Sequence, residues 1–94
     1  MEINLKGKSY LPTETEVTDD HTYFFYLSKT TSILIDQFEK NKFSYSFIRG
    51  SFKTYEEFKQ AYFVSPYVII SRYTTFDNMI EELNESLNTK NTTA

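Results

Sequence analysis

The chain has 94 residues, of which 39% are hydrophobic and 24% charged, and a net charge of −3; these values describe one modest globular domain and exclude a disordered segment or two separate cores. It holds no cysteine, so disulfides, thiolate nucleophiles, thiolate zinc sites and iron–sulfur clusters are excluded together. The charge is unevenly spread: residues 1–20 sum to −3, 21–53 to +3, 54–73 to zero and 74–94 to −3, so acidic ends flank a basic middle and binding to nucleic acid over the whole surface is disfavoured.

Glu2 to Leu11 alternates, with Ile3, Leu5 and Leu11 on one side and Glu2, Asn4, Lys6, Lys8 and Tyr10 on the other. This predicts a half-buried strand, placed at a sheet edge. Pro12 to Asp20, "PTETEVTDD", is polar and acidic and reads as a loop. Thr22 to Ser28, "TYFFYLS", is apolar on both sides, as in an inner strand covered on two faces. In "TTSILIDQFEKN" the spacing of Leu34, Ile35 and Phe38 predicts a helical stripe, with Asp36 and Lys40 at i, i+4 on the outer side.

Lys40 to Phe52, "KNKFSYSFIRGSF", reads as a strand. Thr54 followed by Glu57 forms a capping box, and Tyr55, Phe58 and Tyr62 at helical spacing continue the helix it opens. Pro66 ends that helix, and Tyr67 to Arg72, "YVIISR", is a further inner strand. Phe76, Met79, Ile80, Leu83 and Leu87 give a continuous stripe on a last helix, with Thr74 or Thr75 as its N-cap.

The expected order is β-β-α-β-α-β-α. We expect an α/β or α+β domain over residues 1–88, with about four strands and three helices, and a flexible tail over 89–94. The intervals between the last three strands have room for crossover helices, so parallel pairing is expected there. With eight tyrosines and nine phenylalanines against two glycines, the core is expected to be built largely from rings.

The opening "MEINLKGKSY" carries no signal-like apolar run and no segment reaches membrane-spanning length, so a cytoplasmic location without membrane contact is expected. Asn84-Glu85-Ser86 and Asn91-Thr92-Thr93 match the glycosylation pattern, which has no meaning in that setting. Richness in Asn, Lys, Ile, Phe and Tyr suits an AT-rich gene, and the size suits an accessory protein of a phage or other mobile element.

Within the basic middle, "YSFI" at Tyr45 to Ile48 resembles the centre of the signature strand of RNA-recognition motifs. Phe43, Ser44 and Gly50 depart from that signature, and Asn41 and Lys42 leave no space for the strand that precedes it in the family. The resemblance implies a single-strand nucleic-acid reading with Lys40, Lys42, Arg49 and Lys53 on phosphates. Against it, the reverse side of the strand is Ser44, Ser46, Ile48 and Gly50, a poor core. Phe43, Tyr45 and Phe47 are therefore expected to point inward.

"GKS" at Gly7 to Ser9 matches the end of a phosphate-binding loop, but the upstream glycine is replaced by Glu2, and Tyr10-Leu11-Pro12 does not open a helix. His21, the only histidine, follows Asp19 and Asp20, an adjacency that by itself assembles neither a triad nor a metal site. Glu14, Glu16, Asp19 and Asp20 read as ordinary loop solvation rather than a calcium site. No catalytic residue, cofactor or metal is expected.

The last helix carries the stronger signal. Asp77, Glu81 and Glu85 recur at i, i+4 and i+8 with Glu82 beside them, and no Lys or Arg lies between Thr74 and Thr89. Like charges so spaced cost a helix about 0.2–0.5 kcal/mol per pair. The leading expectation is a non-enzymatic protein-binding module, an adaptor or inhibitor, that sets Asp77, Glu81, Glu82 and Glu85 against a basic protein. The alternatives are the nucleic-acid reading above and a homo-oligomer paired through its first strand.

Overall fold

The computed structural model describes residues 1–50, 52–62, 68–70 and 73–92, with side chains at 1–47, 50, 52–60 and 73–87. Seven strands and two helices lie in the described residues: β1 (Ile3–Leu5), β2 (Lys8–Tyr10), β3 (Glu14–Val17), β4 (His21–Ser28), β5 (Thr31–Glu39), β6 (Lys42–Arg49), α1 (Tyr55–Tyr62), β7 (Val68–Ile70) and α2 (Phe76–Thr92). β1 and β2 pair as a hairpin of their own. The other five strands form one antiparallel sheet in chain order, β3-β4-β5-β6-β7. The class is α+β, and none of the expected parallel pairings occurs among the described strands.

The single strand expected over Glu2–Leu11 is thus two strands. Lys6 and Gly7 take φ of 56° and 75°, the left-handed pair that a two-residue hairpin turn requires and that glycine supplies at no steric cost. The turn brings Tyr10 opposite Ile3, and Tyr10 joins the core while Leu11 stays 70% exposed. The expected loop at Pro12–Asp20 contains β3, a four-residue strand exposed throughout.

The largest correction is β5. Leu34, Ile35 and Phe38 do not share a stripe, and Asp36 and Lys40 are not helical neighbours, because Thr31–Glu39 is the middle strand of the sheet. Ile33 and Ile35 are buried under one face, whereas Leu34 and Asp36 belong to the other. Its β-branched Thr31, Ile33 and Ile35 suit an extended pleat better than a helix, where each loses rotamer freedom against the preceding turn. The described helices therefore number two rather than three.

Each face of the sheet has its own cover. On one, Phe25, Ile33, Ile35, Phe43, Tyr45 and Phe47 are buried beneath Ile3 and Leu5 of the hairpin and Met79 and Leu83 of α2. Tyr45 Oη donates to Glu82 Oε1 at 2.9 Å and the Phe43 ring meets Phe76 edge-on, so α2 is held by polar and ring contacts beyond its stripe. On the other, Phe24 and Phe58 form a smaller cluster flanked by Tyr26, Leu34, Phe52 and Tyr55. α1 lies there, and no other described helix does.

Gly50 follows β6 and donates its N–H to Thr30. A side chain there would meet the Phe52 ring, whose Cζ would lie 2.7 Å from the added carbon. The close approach lets Phe52 turn back onto Phe58. Of the last strand expected over Tyr67–Arg72, Val68–Ile70 is seen pairing with β6, and the rest lies outside the described residues. α2 is helical to Thr92, so the residues expected as a tail include its last turn.

Candidate functional site

α2 sorts its residues by the sheet beneath it. Met79 and Leu83 are fully buried, Phe76, Ile80 and Leu87 pack on the same cluster, and Asp77, Glu81 and Glu85 are exposed on the opposite side. Glu82 separates from the other three. It is half-buried and accepts the Tyr45 hydroxyl, so it anchors the helix rather than joining the outer ridge. Among the described residues no cation lies within ion-pair distance of Asp77, Glu81 or Glu85, the one ion pair being Lys59 with Glu56 at 3.4 Å.

Asp77 also sits in the first turn of α2, where a carboxylate meets the positive end of the helix dipole. The later acids have no such compensation. Their mutual repulsion is a standing cost that an approaching cation would remove.

The basic residues of the nucleic-acid reading do not converge. Lys40 and Lys42 lie at the start of β6 and Lys53 comes after its other end, so the length of the strand, about 23 Å at about 3.3 Å per extended residue, stands between them. Between them Phe43, Tyr45 and Phe47 are buried, as their serine-lined reverse side implied. The Lys42 ammonium is already over the Tyr73 ring, 4.7 Å from its centroid, with Phe38 edge-on to that ring at 4.9 Å. The side chain of Arg49 lies outside the described residues.

Phe38 reaches Tyr73 because β5 bulges: Gln37 pairs with Phe43 and Glu39 with Lys42, which leaves Phe38 without a partner in β6. Such a bulge turns a side chain out of the regular alternation. Beside it, Asp19, His21, Gln37, Glu39 and Lys40 line an open groove of about 250 Å³. His21 stacks on Tyr23 and is exposed. Among the described residues no group of three or more histidine or carboxylate side chains is placed to hold a metal ion, and no helix is long and apolar enough to cross a membrane.

One polar arrangement is visible only with β5 as a strand. Glu16, Thr22, Asp36 and Ser44 are register neighbours across four adjacent strands, forming a polar row on the sheet face that carries α1. Thr22 Oγ1 donates to Asp36 Oδ1 at 2.7 Å. Burial pushes the Asp36 carboxyl above its usual range, the Thr22 hydrogen bond pulls it back in part, and the charge of Asp20 adds to the rise. Tyr55 at the edge of α1 is raised likewise, by burial first and then by Glu16. Reading β5 as a strand would have exposed this row, since residues opposite one another across a ladder share a face.

No protein-family model, curated protein or solved structure matches the chain.

Proposed function

We propose that this protein is a small non-enzymatic binding module, an adaptor or inhibitor, that presents the outer face of α2 to a basic surface of another protein. The observation that carries the reading is the separation of roles along α2. Its apolar stripe and Glu82 are committed to the sheet, while Asp77, Glu81 and Glu85 are exposed with no described cation opposite. A helix face with one sign of charge, as α2 has from Asp77 to Glu85, steers an oppositely charged partner and favours rapid docking. The tyrosine-rich composition suits an interface, because tyrosine offers large contact area with a polar tip.

The test is capture from the source organism with the wild-type chain and with Glu81→Lys plus Glu85→Lys, both of native circular dichroism. The expected result is a discrete partner that the wild type retains at low salt and the double variant loses. A partner held equally by both chains, or none held by either, defeats the proposal.

A further inference from the structure

The five-stranded sheet ends on β3, which among the described residues is bonded on one side only, to β4. Which of its main-chain groups stay open follows from the alternation of an antiparallel ladder. Tyr26 N–H donates to Thr13 Oγ1 at 3.1 Å, so in β4 the groups of Tyr26, and two and four residues before it, of Phe24 and Thr22, point toward β3. Those two residues are paired with Glu14 and Glu16. Glu14 and Glu16 therefore use their main-chain groups on β4, and Thr15 and Val17 turn theirs away from the sheet.

The side chains of this edge have a matching alternation. Glu14 and Glu16 share the face of their partners Phe24 and Thr22, and Thr15 and Val17 share that of Tyr23 and His21. Glu14 is partly engaged, since one carboxylate oxygen accepts the Tyr55 N–H at 2.7 Å. Glu16 is exposed and, among the described residues, has no cation at ion-pair distance. Val17 is 62% exposed on the other side, and Leu11, just upstream, is 70% exposed.

A second copy of the chain is a poor occupant of this edge. Two-fold antiparallel pairing through the open groups sets Thr15 on Thr15, Thr15 on Val17 or Val17 on Val17. The first two registers place Glu14 against Glu16 or Glu16 against itself, like charges that destabilise a cross-strand pair, and the third pairs only the end of β3, because the chain turns back at Thr18–Asp20. A strand with a basic residue opposite Glu16 and apolar residues opposite Thr15 and Val17 meets no such conflict.

We infer that β3 accepts an extended segment of a partner protein, alternating basic and apolar residues, as an added antiparallel strand. Thr15 and Val17 each exchange a pair of main-chain hydrogen bonds with it, and Glu16 selects its charge. This surface is separate from the outer face of α2 and does not depend on the reading given to that helix.

The probe is a blocked hexapeptide alternating lysine and valine, with the glutamate–valine hexapeptide as its counterpart, titrated into the isotopically labelled full chain and followed by amide shifts and hydrogen exchange. The expected result is preference for the lysine peptide, with new exchange protection at Thr15 and Val17. Thr15→Pro removes an outward donor that the ladder to β4 does not use, so it is compatible with an edge strand and is expected to weaken binding about tenfold or more. Glu16→Lys is expected to reverse the preference between the peptides, which keeps the test decisive if the proline variant does not fold. Glu81→Lys with Glu85→Lys is expected to leave peptide binding unchanged. Equal response to the two peptides, shifts confined to α2, or protection of Thr15 and Val17 in a self-associated chain without peptide would each overturn the inference.

Discussion

Asp36 is the residue whose chemistry and position disagree most. A carboxylate on the middle strand is partly withdrawn from water, and its proton affinity is raised chiefly by that burial. Between its unfolded value of 3.8 and the raised native one, the folded state holds more protons than the unfolded. Stability therefore falls as pH rises through that window, and the cost is present in full above it, at neutral pH. Asp36→Asn keeps an acceptor for Thr22 and removes the charge. It is expected to stabilise the fold at pH 7, by no more than about 1 kcal/mol because the group still meets solvent, and to have least benefit below 3.8. Urea unfolding of both chains at neutral and acid pH measures this; a variant less stable at pH 7 would show that the ionised hydrogen bond outweighs burial. Other residues were legible from the sequence. The serines behind Phe43, Tyr45 and Phe47 sufficed to turn those rings inward, since a sheet side of Ser44 and Ser46 could not hold a core alone. Asp36 was not legible, because a wrong element assigned it to a solvated helix face.

Both helices begin by the same device. The Glu57 N–H is held by Thr54 Oγ1 at 3.2 Å and the Asn78 N–H by Thr75 Oγ1 at 3.3 Å, so each threonine caps the third residue of its helix. The first N–H of each is taken by a side chain from elsewhere in the sheet layer: Tyr55 by Glu14 and Phe76 by Asn41, at 2.7 and 2.9 Å. The capping threonines were readable as local spacing, but these remote acceptors were not, since only tertiary structure brings them near. Thr75→Ala is expected to cost about 1 kcal/mol, seen as a lower urea midpoint with unchanged slope, and Thr75→Ser to restore most of it. An unchanged midpoint would mean that Asn41 alone secures this helix end. Among strands, β4 and β6 were legible, whereas β5 and β3 failed for opposite reasons. β5 is buried from both sides, so its apolar residues show no clean alternation and three of them happen to fit a helical stripe. β3 is exposed on both sides and carries almost no apolar signal at all.

At the scale of the molecule, the two faces of the sheet are unequally secured. Ten described residues are fully buried in the cluster beneath α2 and the β1–β2 hairpin, against two, Phe24 and Phe58, beneath α1. The expectation of helices packed on a sheet holds, but consecutive antiparallel pairing replaces the crossovers, since β4, β5 and β6 are joined by short turns once β5 is recognised as a strand. Burial contributes roughly 1.5–3 kcal/mol per large apolar side chain, so on the described residues the α2 side is the more strongly secured of the two. α1 is short, at eight residues, and an isolated helix of that length is unstable in water. Among the described residues its attachment rests on Phe58, the rings around it and the Glu14 hydrogen bond. Native-state hydrogen exchange under increasing urea is therefore expected to separate two populations. Amides of β4, β5, β6 and the central turns of α2 will exchange through global unfolding, with strong urea dependence, while those of α1 will exchange through a local opening that urea scarcely affects. Such an opening would uncover Phe24 and Leu34 beside the polar row without disturbing either the outer face of α2 or the β4 side of the ladder to β3. If α1 amides instead merge with the global class, the small cluster is coupled through Phe52 and Gly50 to β6 more tightly than its area implies.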